Sequence, residues 1–239
     1  MLRQLVKRKR KHILLDIGTQ KDFFLAHGNA CINGHRKALR NIRRMMAWSR
    51  SNRVTVISTC EVYAKNNNGG STAGYCVDGT DGQKKIRYTV VPDRVVFAAD
   101  GSNDLPEDLV CRHRQIILNS RCSDPFDEPR IERLLSEVAA DEFIVIGADG
   151  ERAVLATVLG LLQRGKRVKV VTDAIGVRDE GEAKMAFRKI KAKGAKLVET
   201  RHIAGRSRLK GTGICKCRAC RAKRRKNAVG KAEPQHATA

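Results

Sequence analysis

The sequence offers little to stack on a base and nothing to span a bilayer. Only 4% of its 239 residues are aromatic, with a single tryptophan, Trp48, and none of the aromatics lies in the terminal segments. That excludes sequence-specific reading of a single strand by an aromatic platform in those segments. No window approaches the roughly 18 uninterrupted apolar residues of a membrane helix. The opening MLRQLVKRKRKH has no apolar stretch after its basic part, as a secretory signal would require. The eight cysteines lack the spacing of a small disulfide scaffold, so the expectation is a soluble, cytoplasmic protein with reduced thiols and no membrane partner. Acid is absent from both ends: residues 1–12 hold six Lys and Arg and residues 201–232 hold twelve, with no Asp or Glu in either.

What is present is charge of one sign. Lys and Arg number 48 against 25 Asp and Glu, a net charge of +23, of which +18 sits in those two ends, while residues 13–200 carry 30 bases against 24 acids. The 41% of hydrophobic residues suffices for one sizeable core, since a chain of this length buries roughly 70% of its unfolded surface. The expected organisation is a basic arm over 1–12, a folded domain over 13–200 and a basic tail over 201–239. Like charges in blocks repel one another and gain by meeting a polyanion, because neutralised phosphates release their counterions. The residues expected to do this are Lys7, Arg8, Lys9, Arg10 and Lys11 in the arm. In the tail they are Lys210, Lys216, Arg218, Arg221, Lys223, Arg224, Arg225 and Lys226. Nucleic acid is the expected partner, RNA ahead of DNA, alone or in a ribonucleoprotein particle; the bland alternative is a tail that only solubilises.

The middle alternates strand and helix. Five β-branched runs, HILLDI, VTVIS, RQIILN, FIVIG and VKVVTD, are separated by helical spacings, which predicts a three-layer α/β/α domain around a mostly parallel sheet. A helix over 35–50 places Ala38, Leu39, Ile42, Met45 and Met46 on one face and a cationic stripe, Arg36, Arg40 and Arg43, elsewhere, and these three arginines are also expected to bind nucleic acid. Pro129 opens another helix, one ends at Gly165, and a last one covers 181–193 before a strand at KLVET. IRYTVV and RVVFAA read as short strands, and the fold is expected to end after Thr200. The whole segment of about 59–112, which holds these two runs and an Asn- and Gly-rich stretch before them, is expected to wall a pocket at the C-terminal ends of the strands.

In order along the chain, ILLDIGTQKDFF, YCVDGTDGQKKI, NSRCSDPF and GADGERAVLATVLGLLQRGKRVKVVTDAIGVRD resemble the motifs of the isochorismatase-like cysteine hydrolases, the superfamily that includes the nicotinamidases. The resemblance runs over about 13–200. It implies a thiolate nucleophile, an Asp base that takes the thiol proton and a supporting Lys, because a thiol of pKa about 8.5 needs activation. The aligned positions hold Ala153, Gly18 and Ser120, none of which can attack or transfer a proton. Asp16, two residues before Gly18, would share its face about 6–7 Å away on a strand and is the possible displaced base. The cysteines Cys60, Cys76 and Cys122 near the motifs read as inert. At the positions where nicotinamidases bind a metal stand Glu61, Tyr63 and Tyr75, and neutral tyrosines are poor ligands, so no pocket metal is expected. The resemblance also implies a cis peptide at Ala148–Asp149 with amide donors near Asp149 and Ala153, and a pocket that Phe23 and Arg152 help line; Arg152 is expected to form a surface salt bridge with Asp149 or Glu151, the alternative being to help hold a carboxylate or phosphate.

Cys215, Cys217 and Cys220 form C-x-C-x-x-C within the basic tail. Three such thiolates suit one tetrahedral Zn²⁺ if His202, His236 or a second subunit supplies the fourth ligand; the alternatives are reactive unliganded thiols or inert residues. Three functions remain open. The first is a catalytically inactive scaffold for RNA or a ribonucleoprotein, and the second a hydrolase of a small amide, ester or vinyl ether with altered chemistry. The third is a non-catalytic module for a small ligand or a protein partner, a second copy of this chain in a homo-oligomer among them.

Overall fold

The computed structural model describes residues 11–65 and 74–206. Alternation along the first strand decides its architecture. In β1 (His12–Ile17) Ile13, Leu15 and Ile17 pack into one apolar cluster and Leu14 into another on the opposite side, so both faces need a covering layer. The chain supplies one in alternating segments. They are α1 (Lys21–Phe24), α2 (His35–Ser51), β2 (Thr55–Glu61), β3 (Arg94–Phe97), α3 (Leu109–Arg112), β4 (Gln115–Ser120), α4 (Pro129–Glu137), β5 (Glu142–Gly147), α5 (Ala153–Gln163), β6 (Val168–Ile175), α6 (Glu180–Ala192), β7 (Lys196–Val198) and α7 (Thr200–Ala204). The sheet order is β3-β4-β2-β1-β5-β6-β7, and every pairing is parallel.

Residues of α3, α4, α5 and α6, among them Leu109, Ile131, Leu135, Val154, Val158 and Ile190, cover the face of Ile13, Leu15 and Ile17. Phe23, Phe24, Ala38, Ile42, Met45 and Met46 of α1 and α2 cover the other, joined by Ile203 and Ala204 of α7. Local chemistry sets the helix ends. Pro129 occupies the first turn of α4, where its missing N–H costs nothing. Asp179 caps α6 by accepting the Glu182 amide at 2.8 Å, with Glu180 and Glu182 in the first turn and Lys189 and Lys191 in the last, complementing the helix dipole.

Two expectations need correction. IRYTVV is not a strand: Arg87–Thr89 is a 3-10 turn. The buried Gln115 amide holds this segment, donating to the Thr89 carbonyl at 2.8 Å and accepting the Val91 amide at 2.7 Å, so a side chain meets backbone groups that a ladder would otherwise satisfy. The fold does not stop at Thr200 either. One compact unit reaches Ala204, and from Gly205 a second begins, of which only Gly205 and Arg206 are described. No described helix is long and apolar enough to cross a membrane.

Parallel strands open their C-terminal ends onto loops, and here the β1–β5 pairing ends with Ile17 opposite Gly147. Gly147 has φ +132°, and a Cβ there would collide with the Ile17 carbonyl. Gly147→Ala therefore combines backbone overlap with a conformation closed to L side chains. It is expected to cost about 3 kcal/mol or more, read as a drop in the urea midpoint.

Candidate functional site

The strand register gathers distant residues. Ile17 pairs with Thr59, and Glu61 with Ser120, so the ends of β1, β2 and β4 meet the first turn of α5. A small cavity there is lined by Ile17, Gly18, Thr59, Cys60, Glu61, Ser120, Cys122, Ser123, Pro125 and Ala153. Gly18, Ser120 and Ala153 thus converge on one point, as the motif order implied. The room inside is ≈ 10 Å³, the space of about one water, against roughly 300–1,000 Å³ for ligand pockets. Gly18 turns away from the strand at φ +53°. The Ser120 hydroxyl is occupied by its own turn, donating to the Cys122 carbonyl at 2.9 Å and accepting the Cys122 amide at 3.1 Å.

Asp16 does not line this cavity, contrary to the expectation that it shares the face of Gly18. The strand ends at Ile17 and the left-handed Gly18 breaks the alternation. Asp16 is fully buried beneath the layer opposite α5. There its Oδ2 accepts the Ser58 hydroxyl at 3.0 Å and the Lys85 ammonium at 2.8 Å, and Lys85 also donates to the Thr19 hydroxyl at 2.7 Å. The network extends through Thr19 to Thr89 and through Ser58 to Gln115. Burial pushes the Lys85 ammonium down, but the Asp16 carboxylate and Cys60 together more than offset this and the net direction is up. Lys85, missed in the sequence because it sits in a polar, glycine-rich loop, is buried, paired with an acid and near enough to a thiol to act on it electrostatically. That thiol is Cys60. Desolvation pushes it up to about 11 even though Lys85 pulls it down, so it stays protonated near neutral pH. Burial likewise raises the Cys76 and Cys122 thiols.

Outside the cavity the polar residues pair with one another. Tyr63 donates its hydroxyl to Glu61 Oε2 at 2.8 Å and lies 3.2 Å from the Ser123 hydroxyl. Burial raises both the Tyr63 phenol and the Glu61 carboxyl. A protonated phenol that donates to its neighbouring acid cannot ligate, so Glu61, Tyr63 and Tyr75 do not fit the metal that nicotinamidases carry at these positions. Tyr75 instead packs between Tyr63 and Phe23, with ring centroids at 5.4 and 5.5 Å. The Ala148–Asp149 peptide is cis. Asp149 is almost wholly buried; its Oδ2 accepts two hydrogen bonds from Arg152 and lies 2.8 Å from Arg178 Nε as an ion pair. Arg152 therefore pairs with Asp149 as expected, but with a buried carboxylate rather than a surface one. The Arg178 guanidinium covers the rings of Tyr75 and Phe23 at 4.9 and 5.5 Å, a cation–π arrangement that nothing in the local sequence announced. Glu151 accepts the Arg178 and Asp179 amides at 2.6 and 2.9 Å. The amides of Arg152 and Val154 are used within the turn, both donating to the Asp149 carbonyl.

Of the expected phosphate ligands, Lys11, Arg36, Arg40 and Arg43 are exposed, the last three on one face of α2, with Arg43 5.9 Å over the Tyr88 ring. Lys7 to Arg10, the tail cations from Lys210 to Lys226, His236 and the cysteines Cys215, Cys217 and Cys220 lie outside the described residues.

A model of the isochorismatase domain matches residues 12–202. Among solved structures, the chain is similar to an isochorismatase family protein from Desulfovibrio vulgaris (19% identity, TM-score 0.63, covering 85% of this chain and 98% of that one). It is also similar to the pyrazinamidase of Pyrococcus horikoshii solved with zinc (20%, 0.60, 79% and 99%). A third is the MAR1 ribonuclease of Caenorhabditis elegans (17%, 0.56, 96% and 97%). At such identities the likeness is one of fold. No curated protein matches the sequence.

Two outcomes test this description. Lys85→Met strands the Asp16 carboxylate and is expected to cost about 3–5 kcal/mol, whereas adding Asp16→Leu restores part of that loss, since a buried pair replaced whole is far cheaper than one halved; denaturant titration of the two variants decides it. A raised Glu61 carboxyl means the folded chain holds that proton to higher pH than the unfolded chain. Its contribution to stability therefore falls as pH rises from the ordinary carboxylate range, about 4.3, through the folded value. Glu61→Gln should then gain stability over the parent at pH 8 and lose that advantage near pH 4, measured by thermal unfolding; a difference independent of pH would contradict it.

Proposed function

Because the chain belongs to the isochorismatase family, its domain covering residues 12–202, we propose that it is a non-hydrolytic member whose basic ends bind RNA or a ribonucleoprotein particle. The observation that carries this reading is the charge distribution: +18 of the +23 resides in two acid-free ends attached to a near-balanced domain. The cavity supports the non-hydrolytic part. It has room for about one water, and its three convergent positions carry a glycine, a serine and an alanine with neither a thiolate nor a free base to offer. That one neighbour of the same fold is described as a ribonuclease is consistent with an RNA partner. Under the same proposal the tail cysteines Cys215, Cys217 and Cys220 hold a structural zinc that shapes the basic segment.

A second reading has its own observation. Cys60 lines the cavity and feels both Lys85 and Asp16, which is a thiol, an ammonium and a carboxylate in one neighbourhood. Against it stand the raised thiol, the closed cavity and the commitment of Asp16 and Lys85 to each other. A hydrolase working this way would lose all turnover of small amides or esters in Cys60→Ser and be indifferent to deletion of 201–239.

The discriminating measurement is RNA binding by the full chain over a salt series, with the RNA recovered afterwards. Affinity should fall by about 10³-fold or more between roughly 50 and 200 mM salt, as for six or more phosphate contacts, and drop when 201–239 is removed. Absent or salt-insensitive binding overturns the proposal, and RNA recovered in fragments, in a preparation free of contaminating nuclease, overturns its non-catalytic part.

A further inference from the structure

At the opposite end of the strands, where they begin, lies a second hollow that the family site does not involve. The end of α2 and the starts of β1 and β2 enclose ≈ 540 Å³ lined by Lys11, His12, Trp48, Asn52, Arg53, Val54 and Thr55. We propose that this hollow receives a base of single-stranded RNA stacked on the Trp48 indole, with the adjoining phosphates held by Lys11 and Arg53. The proposal rests on the RNA-binding reading and gives it a place on the folded domain.

Three observations carry it. Trp48 is half-buried, one side packed against the α2-side core and the rest turned to the hollow, which is the posture of a rigid stacking surface rather than of a core filler. The Asn52 side chain donates to the Trp48 carbonyl at 2.9 Å and Arg53 turns the chain in the left-handed region at φ +53°, so the rim has a defined shape. The electrostatics favour an anion. The neighbouring acids are already engaged: Asp141 accepts the Lys11 backbone amide at 2.7 Å and pairs with Arg167, while Glu142 pairs with Lys169 at 2.7 Å and faces His12 at 3.6 Å. Among the described residues no ion pair engages the Lys11 ammonium or the Arg53 guanidinium. The chain also enters the fold at this rim, directly after Lys7, Arg8, Lys9 and Arg10, so the basic arm is tethered where a bound strand would continue. A hollow of this size takes one base and its phosphate, so recognition is of a strand's chemistry, with no reading of a sequence.

Trp48 is the only tryptophan, so its emission reports on this hollow alone. The experiment titrates the full chain with fluorescein-labelled oligoadenylate, following anisotropy of the label with one sample and, with unlabelled RNA, Trp48 emission with another. Quenching that tracks the anisotropy isotherm is expected. Trp48→Leu should bind roughly 5- to 150-fold more weakly, and Arg53→Ala, a surface change that leaves the stack in place, should lower the salt slope by about one. Binding with unchanged Trp48 emission and an unaltered Arg53→Ala slope overturns the hollow as the site and leaves RNA binding by the ends standing. No binding by either signal overturns the RNA reading, and this inference with it.

Discussion

Asp16 occupies the central strand of a seven-stranded sheet with no exposure to water, and the cost of burying a carboxylate there is offset when an opposite charge is brought to it. Lys85 does so from a loop 69 residues later in the chain. Because the ammonium also meets Thr19, and Thr19 meets Thr89, one ion pair ties three segments together: the end of β1, the loop before Lys85 and the turn after it. Gln20 extends the tie, donating to the carbonyls of Glu61 and Gln83 and accepting the Glu61 amide. The consequence is geometric. That loop lies on one side and the first turn of α5 on the other, and the cavity between Gly18, Ser120 and Ala153 has the room of about a single water.

The same logic of satisfied charge governs the rim. Asp149, buried beside the cis peptide, is met by two guanidiniums, and the second of these, Arg178, itself lies over the rings of Tyr75 and Phe23. Glu61 meets Tyr63 and Glu151 meets two backbone amides. The side chains that would otherwise form a reactive mouth are thus spent on one another. An arrangement of this kind stabilises a particular loop geometry, and it contrasts with the hollow at the starts of β1 and β2, where among the described residues no ion pair engages the Lys11 ammonium or the Arg53 guanidinium.

The sheet was legible in the sequence because each short β-branched run is bounded by turn residues and separated by a helical spacing, and these are local signals. So were α2, α4, α5 and α6, whose apolar faces repeat with the helical period, and so was the meeting of Gly18, Ser120 and Ala153, which followed from the order of the motifs. IRYTVV misled because propensity registers β-branching but not the arrival of the Gln115 amide. Lys85 was invisible for the opposite reason: a lysine in a run of Gly, Asp, Gln and Lys has every local mark of a solvated residue, and only the distant Asp16 makes its burial tolerable. Arg178, just after β6, likewise carried no mark of the ring faces that would receive it. Asp16 was placed on the wrong side because strand alternation was continued through a residue, Gly18, whose left-handed backbone ends it.

By itself the sequence determined the fold class, the family, the near-neutral body with its two cationic ends, and the identity of the residues at the convergent positions, since all of these depend on composition, periodicity and order. Tertiary structure alone decided which charges are paired. It placed Lys85 on Asp16, Arg152 and Arg178 on Asp149, and left Lys11 and Arg53 open beside Trp48. Pairing depends on separations of a few ångströms between residues far apart in the chain, and no local pattern encodes such a distance; it emerges only when the whole sheet has set its register.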